Sequence, residues 1–150
     1  MNRKWKYAVG IAAVLSIALI IVPWVFPICE MMMQTANGGM TPMRCHYAYQ
    51  AELLVSTAAL ITAVVLFLIR GAEGRRLGGL FISLQGIIAV LIVQDFIIGI
   101  CTGHVASCHI TRTWTVIIGS LLAVAGIVLA FIAPSTVREE GAQQSEEEEA

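Results

Sequence analysis

Four long apolar segments, separated by shorter polar stretches, set the pattern of hydrophobic and polar positions along this chain of 150 residues. They run from about residue 7 to 25, 53 to 69, 77 to 100 and 113 to 133. Each approaches the roughly 20 apolar residues that a helix needs to cross a bilayer. Backbone groups in lipid have no water to bond, so we predict that all four segments are helices.

The connections between these segments predict the architecture. Helices joined by short loops pack as antiparallel neighbours, so we predict an all-α, polytopic membrane protein whose two hairpins form a four-helix bundle over residues 1–137. Each predicted hairpin carries a cysteine and then a Cys-His step between its helices, the pattern of a weak internal repeat. Small residues let membrane helices approach closely. Six glycines fit this role: Gly78, Gly79, Gly86, Gly99, Gly119 and Gly126.

The composition supports a lipid environment. The chain is 58% hydrophobic and 13% charged, whereas soluble domains are about half apolar and about one quarter charged. Its net charge of -1 gives no electrostatic basis for binding nucleic acid. We therefore expect the lipid bilayer as the surrounding partner and no nucleic-acid partner.

Basic residues predict the orientation, because they stay on the cytoplasmic side of membrane proteins. Seven lie on one side of the predicted helices: Arg3, Lys4, Lys6, Arg70, Arg75, Arg76 and Arg138. The other side has Arg44 and Arg112. We predict a multi-pass protein of the cell (inner) membrane with both termini in the cytoplasm. The connections 26–52 and 101–112 are then outside.

The two ends of the chain differ in character. The stretch 23-PWVFPIC-29 lacks the small residues of a signal-peptide cleavage site, so we predict that the first helix is retained. Residues 138–150 are acidic and lack apolar anchors. Self-repulsion and missing core residues predict a disordered cytoplasmic tail.

Every cysteine and histidine falls in the two predicted outer connections: Cys29, Cys45, His46, Cys101, His104, Cys108 and His109. Disulfides persist in an oxidising extracytoplasmic compartment. One interpretation is therefore a pair of structural disulfides, Cys29–Cys45 and Cys101–Cys108. Closing the sixteen-residue loop from Cys29 to Cys45 would contribute about 3 kcal/mol to the free energy of unfolding in the entropic model. Four cysteines allow three connectivities, and the sequence does not choose between them.

A second interpretation is a metal site. Cys101, His104 and Cys108 share one face if the third helix continues outward. His109, Cys45 and His46 could complete the ligand set. Mixed Cys/His sites suit zinc, while thiolate and thioether ligands prefer Cu(I). The first outer connection adds five thioethers: Met31, Met32, Met33, Met40 and Met43.

A third interpretation is thiol–disulfide chemistry. Four membrane helices with two outward cysteine pairs resemble the layout of the quinone-linked disulfide-forming enzymes. Those enzymes use a C-x-x-C pair, in which geometry and thiolate formation make exchange fast. This chain has no C-x-x-C. The likeness is therefore one of architecture, and quinone is its expected cofactor.

Two acids and two cations belong to the outer part of the predicted bundle. Asp95 lies within the third apolar segment, and Glu52 stands at the start of the second. Acids inside a membrane are costly and suggest function by default. Arg44 and Arg112 are the cations on that side, so we predict a contact of Arg112 with Asp95 or of Arg44 with Glu52. The set could form a proton or cation site, or a structural salt bridge or hydrogen bond.

Three motifs resemble a known family. They are P-x-C at Pro27 to Cys29, M-x-C-H-Y-x-x-Q-A-E at Met43 to Glu52, and C…C-H at Cys101 to His109. Together they look like the bacterial and archaeal four-helix membrane family catalogued as domain of unknown function 4418, over nearly the whole chain except the acidic tail. The resemblance singles out Cys29, Cys45, His46, Glu52, Cys101 and Cys108. A methionine expected between the last two cysteines is replaced here by 104-HVAS-107.

The resemblance supplies a fold and a signature but no reaction. Members of that family look like partners of membrane permease systems, including ones linked to metal uptake. The sequence has no phosphate-binding loop, nucleophile elbow or H-E-x-x-H motif. We therefore expect a non-enzymatic accessory subunit of a transport system, with permease subunits or a second copy as partners. The alternatives are a quinone-coupled thiol oxidoreductase and an extracytoplasmic copper- or zinc-binding protein.

Overall fold

The computed structural model describes residues 3–25, 32–34, 38–42, 44–69, 71–94, 97 and 106–132. Its helices are α1 (Arg3–Val25), α2 (Arg44–Leu68), α3 (Ala72–Ile92) and α4 (Ala106–Ile132). All four are long and apolar enough to cross a membrane. The predicted all-α membrane bundle is confirmed, and the four apolar helices indicate a multi-pass membrane protein.

A small β-hairpin between α1 and α2 was not predicted. Strands β1 (Met32–Gln34) and β2 (Met40–Pro42) pair antiparallel, with Met33 opposite Thr41. Gly38 lies between them with φ of 78°, a conformation that favours glycine. The hairpin therefore places three of the predicted thioether residues, Met32, Met33 and Met40, on two paired strands.

The helix bounds differ from the predicted ones because helices begin before their apolar segments, and α3 also ends earlier than predicted. α2 begins at Arg44 rather than near residue 53, and α4 begins at Ala106 rather than near 113. The Cys45–His46 and Cys108–His109 steps thus lie in the first turns of helices. α3 runs from Ala72 to Ile92, earlier than the predicted 77–100. Hydropathy marks contact with lipid, whereas the backbone hydrogen bonds of a helix can continue into the polar residues that flank an apolar segment.

The helices pack in a ring, in which α1 contacts α2 and α4, and α3 contacts α2 and α4. Fully buried side chains fill the middle, among them Leu19, Leu66, Ile82, Leu122 and Leu129. Large apolar side chains cover the outside, as Leu54 (73% exposed) and Phe131 (82% exposed) illustrate. This outer surface matches the hydrocarbon of a bilayer.

Close backbone contact joins α3 to α4 along four glycines, which we call the glycine seam: Gly79, Gly86, Gly119 and Gly126. A Cβ added at Gly86 would lie 2.5 Å from the backbone nitrogen of Ala123. One added at Gly79 would lie 2.6 Å from that of Ala130. Gly78 instead faces the side chain of Leu66, and Gly99 is outside the described residues. The predicted role of the glycines in close packing is confirmed for these five.

The two ends of the bundle carry different residues. The end where α1 and α3 begin holds Arg3, Lys6, Arg75 and Arg76, and we call it the basic end. The opposite end, where α2 and α4 begin with their Cys-His steps, is the Cys–His end. Because sequential helices are antiparallel, basic residues from two separate segments meet at one end.

Candidate functional site

A carboxyl group lies buried inside the bundle, between two helices that are not neighbours in the chain. Glu52 of α2 is 2% exposed, and Thr115 of α4 is fully buried. The Thr115 hydroxyl donates to Glu52 Oε1 at 2.7 Å. We call these two residues the Glu52–Thr115 pair. The predicted intramembrane position of Glu52 is therefore an interior one, and its described side-chain partner is a hydroxyl.

Further hydroxyl groups surround the pair. Ser56, fully buried, donates to the backbone carbonyl of Glu52 at 2.7 Å. The Thr115 hydroxyl also lies 3.0 Å from the carbonyl oxygen of Thr111, itself buried. The Thr115 hydroxyl therefore links the carboxyl group to the backbone of α4, while Ser56 contacts the backbone of α2 at Glu52 itself.

The Thr115 hydroxyl has a single hydrogen but two oxygen neighbours that accept one. When the Glu52 carboxyl group carries a hydrogen, it can donate to Thr115, which can then donate to the Thr111 carbonyl. When the carboxyl group is ionised, the two acceptors share one hydrogen. The arrangement can thus hold one proton in a chain of hydrogen bonds, a capacity that suits the proton site predicted as one alternative.

Helical periodicity explains why these residues point inward. Residues 48, 52, 56, 59, 63 and 66 of α2 are buried at intervals of three or four, which is the spacing of one helix face. Ala48 and Ser56 flank Glu52 one turn away on each side and are small. This face therefore leaves room for the glutamate side chain in the core.

A second polar contact joins α4 to the end of α3. Arg112 Nη2 donates to Gln94 Oε1 at 3.0 Å. Gln94 precedes Asp95, which lies outside the described residues, as does the side chain of Arg44. The predicted contacts Arg112–Asp95 and Arg44–Glu52 thus remain predictions. What the structure adds is that Arg112 reaches the chain segment next to Asp95.

The described histidines of the Cys–His end lie at the surface. His46 is exposed, and its Nε2 lies 3.1 Å from the Gln50 side-chain nitrogen. The His46 ring also meets the Tyr47 ring edge-to-face at 5.9 Å. His109 is exposed on α4, and its carbonyl accepts a hydrogen bond from Thr113 at 2.9 Å. Both imidazoles are accessible at the same end of the bundle.

The side chains that would carry the predicted cysteine chemistry lie outside the described part of the structure. Cys29, Cys101 and His104 are not among the described residues, and the side chains of Cys45 and Cys108 are not described. Within the described part of the chain, His, Cys, Asp and Glu side chains form no group of three that could hold a metal. The disulfides, the metal site and its copper or zinc therefore stay predictions.

Helical register nevertheless relates the two cysteine positions. Cys45 precedes Glu52 by seven residues on α2, and Cys108 precedes Thr115 by seven on α4. Seven residues are about two turns, or ~10 Å along a helix. Both positions therefore lie at one level beyond the Glu52–Thr115 pair, so the fold places at one end of the bundle two Cys-His steps that the sequence separates.

A polar contact at the basic end was not predicted from the sequence, in which Arg75 served only to indicate the orientation. The Arg75 guanidinium lies 5.3 Å from the centre of the Trp5 ring, and both side chains are buried. Arg75 Nε also donates to the Ile69 carbonyl at the end of α2, at 3.2 Å. Thr111 and Thr115 were missed as well, since threonine is too common in membrane helices to stand out.

Comparison with known protein families identifies a match for this chain. The model of the family described as "Domain of unknown function (DUF4418)" matches residues 12–133. No curated protein and no solved structure matches the chain. The matched range contains α2, α3 and α4, most of α1, and all seven cysteine and histidine residues.

Proposed function

Because the chain belongs to the DUF4418 family, whose description states no activity, we propose its role from the architecture: it is a non-enzymatic accessory subunit of a membrane transport system. In this proposal the bundle anchors an extracytoplasmic Cys/His surface beside a permease. Copper or zinc is the cargo that such a surface suits, because thiolate and imidazole groups bind these metals.

The observation that carries this proposal is the packed interior of the bundle that the described helices form. Leu19, Leu66 and Leu122 are fully buried in the middle of the bundle, and the glycine seam leaves α3 and α4 in backbone contact. The buried Glu52 carboxyl group is engaged by Thr115. A chain that moved a solute by itself would need a path or a polar cavity between its helices. A packed bundle suits an anchor that works beside a separate permease.

The proposed orientation places the basic end in the cytoplasm and the Cys–His end outside. The gathering of Arg3, Lys6, Arg75 and Arg76 at one end supports it, through the preference of basic residues for the cytoplasmic side. We expect a cysteine introduced at Gly38 to react with a membrane-impermeant thiol reagent in spheroplasts, and one at Ala72 to be protected. Reaction at Ala72 with protection at Gly38 would reverse the orientation.

The function is tested by purification and by metal uptake. The tagged chain, solubilised in a mild detergent, should copurify with permease subunits that a tagged unrelated four-helix protein does not retain. Deleting the chain should lower cellular uptake of copper or zinc. The double variant His46→Ala/His109→Ala should lower uptake while keeping the permease bound, and Thr113→Ala serves as the matched surface control on α4. Unchanged uptake of both metals and no permease component would contradict the proposal.

One observation favours the oxidoreductase as a second candidate. Cys45 and Cys108 occupy the first turns of α2 and α4 at the same level of the bundle, and helix N-termini favour the thiolates that exchange disulfides. In this alternative, two thiols form one disulfide, and two electrons and two protons pass to a quinone. The reduced purified chain should then convert a soluble quinone to quinol, one per disulfide formed. An accessory subunit should not.

A further inference from the structure

An apolar groove runs along the outside of the bundle between α1 and α4. Its volume is about 320 Å³. The half-buried residues Ala8, Leu15 and Ala125 form its floor, and exposed residues that include Ile11 and Val124 form its walls. Along α1 it extends from Ala8 to Leu15, a rise of about 10 Å along the helix axis. A groove of this shape on a lipid-facing surface fits an extended hydrocarbon chain.

A cation and an aromatic ring stand at the end of the groove that lies nearest the basic end. Arg3 and Tyr7 precede Ile11 at successive turns of α1, and the Arg3 guanidinium lies 5.9 Å from the centre of the Tyr7 ring. Tyr7 is 62% exposed, as an aromatic residue at the membrane–water interface would be. From the end inward, α1 thus presents a cation, an interfacial ring and an apolar groove.

We propose that the α1–α4 groove binds an acyl chain of an anionic phospholipid whose headgroup phosphate contacts Arg3. The order of groups on α1 matches the order of groups in such a lipid. Guanidinium groups pair well with phosphate oxygens. Naming the cytoplasmic leaflet depends on the proposed orientation, but the binding itself does not.

Charge complementarity distinguishes this groove from a second one on α3. That groove, lined by Leu77, Leu80, Phe81 and Leu84, also starts beside an exposed cation, Arg76. There, however, Glu73 lies one turn before Arg76 and offsets its charge. Helix α1 contains no acid and adds a second exposed cation, Lys6. An anionic lipid should therefore prefer the α1–α4 groove.

The test is native mass spectrometry of the full chain, released from detergent after incubation with equal amounts of phosphatidylglycerol and phosphatidylcholine of identical chains. Phosphatidylglycerol should be retained about fivefold more, the ratio expected for one cation near the headgroup. Arg3→Gln should remove most of this preference and leave only the contribution of Lys6, whereas the matched variant Arg76→Gln should keep it in full. Glycerol phosphate, a headgroup without chains, should not displace the lipid, which separates lipid binding from simple phosphate binding.

The groove itself is tested by filling it. Ala125→Phe should abolish retention of both lipids, whereas Ala58→Phe, at an exposed position on α2, should not. If Ala125→Phe does not fold, Val124→Trp at the exposed wall takes its place. Equal retention of the two lipids, or equal effects of the Arg3 and Arg76 variants, would overturn the proposal. So would a dimer without bound lipid that Val124→Trp disrupts, because the occupant would then be a second copy of the chain.

Discussion

The two hairpins of the bundle share a plan in sequence but are held together differently. In the second hairpin, α3 and α4 meet at the glycine seam, where backbone lies against backbone. In the first hairpin, α2 has no glycine, and a Cβ added at Gly10 of α1 would meet nothing within 4 Å. Buried alanines such as Ala12, Ala59 and Ala63 belong to the core there. The Cys…Cys-His repeat therefore does not extend to the packing of the helices.

This difference matters because membrane helices gain little from the hydrophobic effect when they associate and depend on close packing and hydrogen bonds. The glycine seam supplies the close packing between α3 and α4. The Glu52–Thr115 pair and the Trp5–Arg75 contact then connect residues of the first hairpin to residues of the second. We infer that close backbone packing holds the second hairpin together. Polar contacts then join the first hairpin to it.

The largest effect is expected from a side chain placed in the glycine seam. Gly86→Leu would drive its side chain into the backbone at Ala123 and Gly119, which cannot move aside as a flexible side chain can. We expect the free energy of unfolding to fall by an amount at or above the upper end of the roughly 1–3 kcal/mol typical of overpacking. Gly10→Leu is the matched control and should be close to neutral. Thermal unfolding in detergent measures both, and similar losses would remove the contrast between the hairpins.

The disulfides test whether each hairpin closes on itself. If the predicted Cys29–Cys45 and Cys101–Cys108 bonds form, reduction should lower stability by about 3 kcal/mol for each loop at most. Mass spectrometry of non-reduced peptides identifies the connectivity. A Cys45–Cys108 bond would instead join the two hairpins to each other. Four free thiols in protein from an oxidising compartment would favour metal binding.

Removing the hydroxyl of Thr115 should loosen the contact between the hairpins. Thr115→Val keeps the shape but leaves the buried carboxyl group of Glu52 without its described side-chain partner, at a cost of about 1–3 kcal/mol. Thr113→Val, at an exposed position on the same helix, should cost far less. In a double-mutant cycle with Glu52→Gln the two changes should be non-additive. Simple additivity would mean that the pair contributes no coupling.

The cation–π contact between Trp5 and Arg75 at the basic end should make the smallest of these contributions to the free energy of unfolding. Trp5→Leu removes the ring beneath Arg75 and should cost about 1–2 kcal/mol beyond the change in apolar area, the range for a partly desolvated cation–π contact. Arg75→Gln should cost a similar amount, and the two should be non-additive. Arg76→Gln, which alters an exposed cation one position away, is the control for lost charge. Equal losses for the Arg75 and Arg76 variants would show that only net charge matters.

Features that depend on local composition could be predicted from the amino-acid sequence. Runs of about 20 apolar residues have one stable form in lipid, so four helices followed from hydropathy alone. The role of the glycines in close helix packing followed from their small size. The gathering of the basic residues at one end followed from the antiparallel order of sequential helices. Glu52 could be singled out because it stands directly at the start of an apolar segment, and carboxyl groups within the membrane are rare.

Which side chains contact one another depends on how the helices pack in three dimensions. A membrane helix is apolar on every side, so its pattern does not reveal which face is buried as an amphipathic stripe does in a soluble bundle. The rotation of α2 and α4 about their axes, which brings Glu52 to Thr115, is set by packing against α1 and α3. The same holds for Arg75, which hydropathy assigns to a solvated loop but which lies buried against Trp5. Contacts between residues distant in sequence depend on these rotations, and no single segment encodes them.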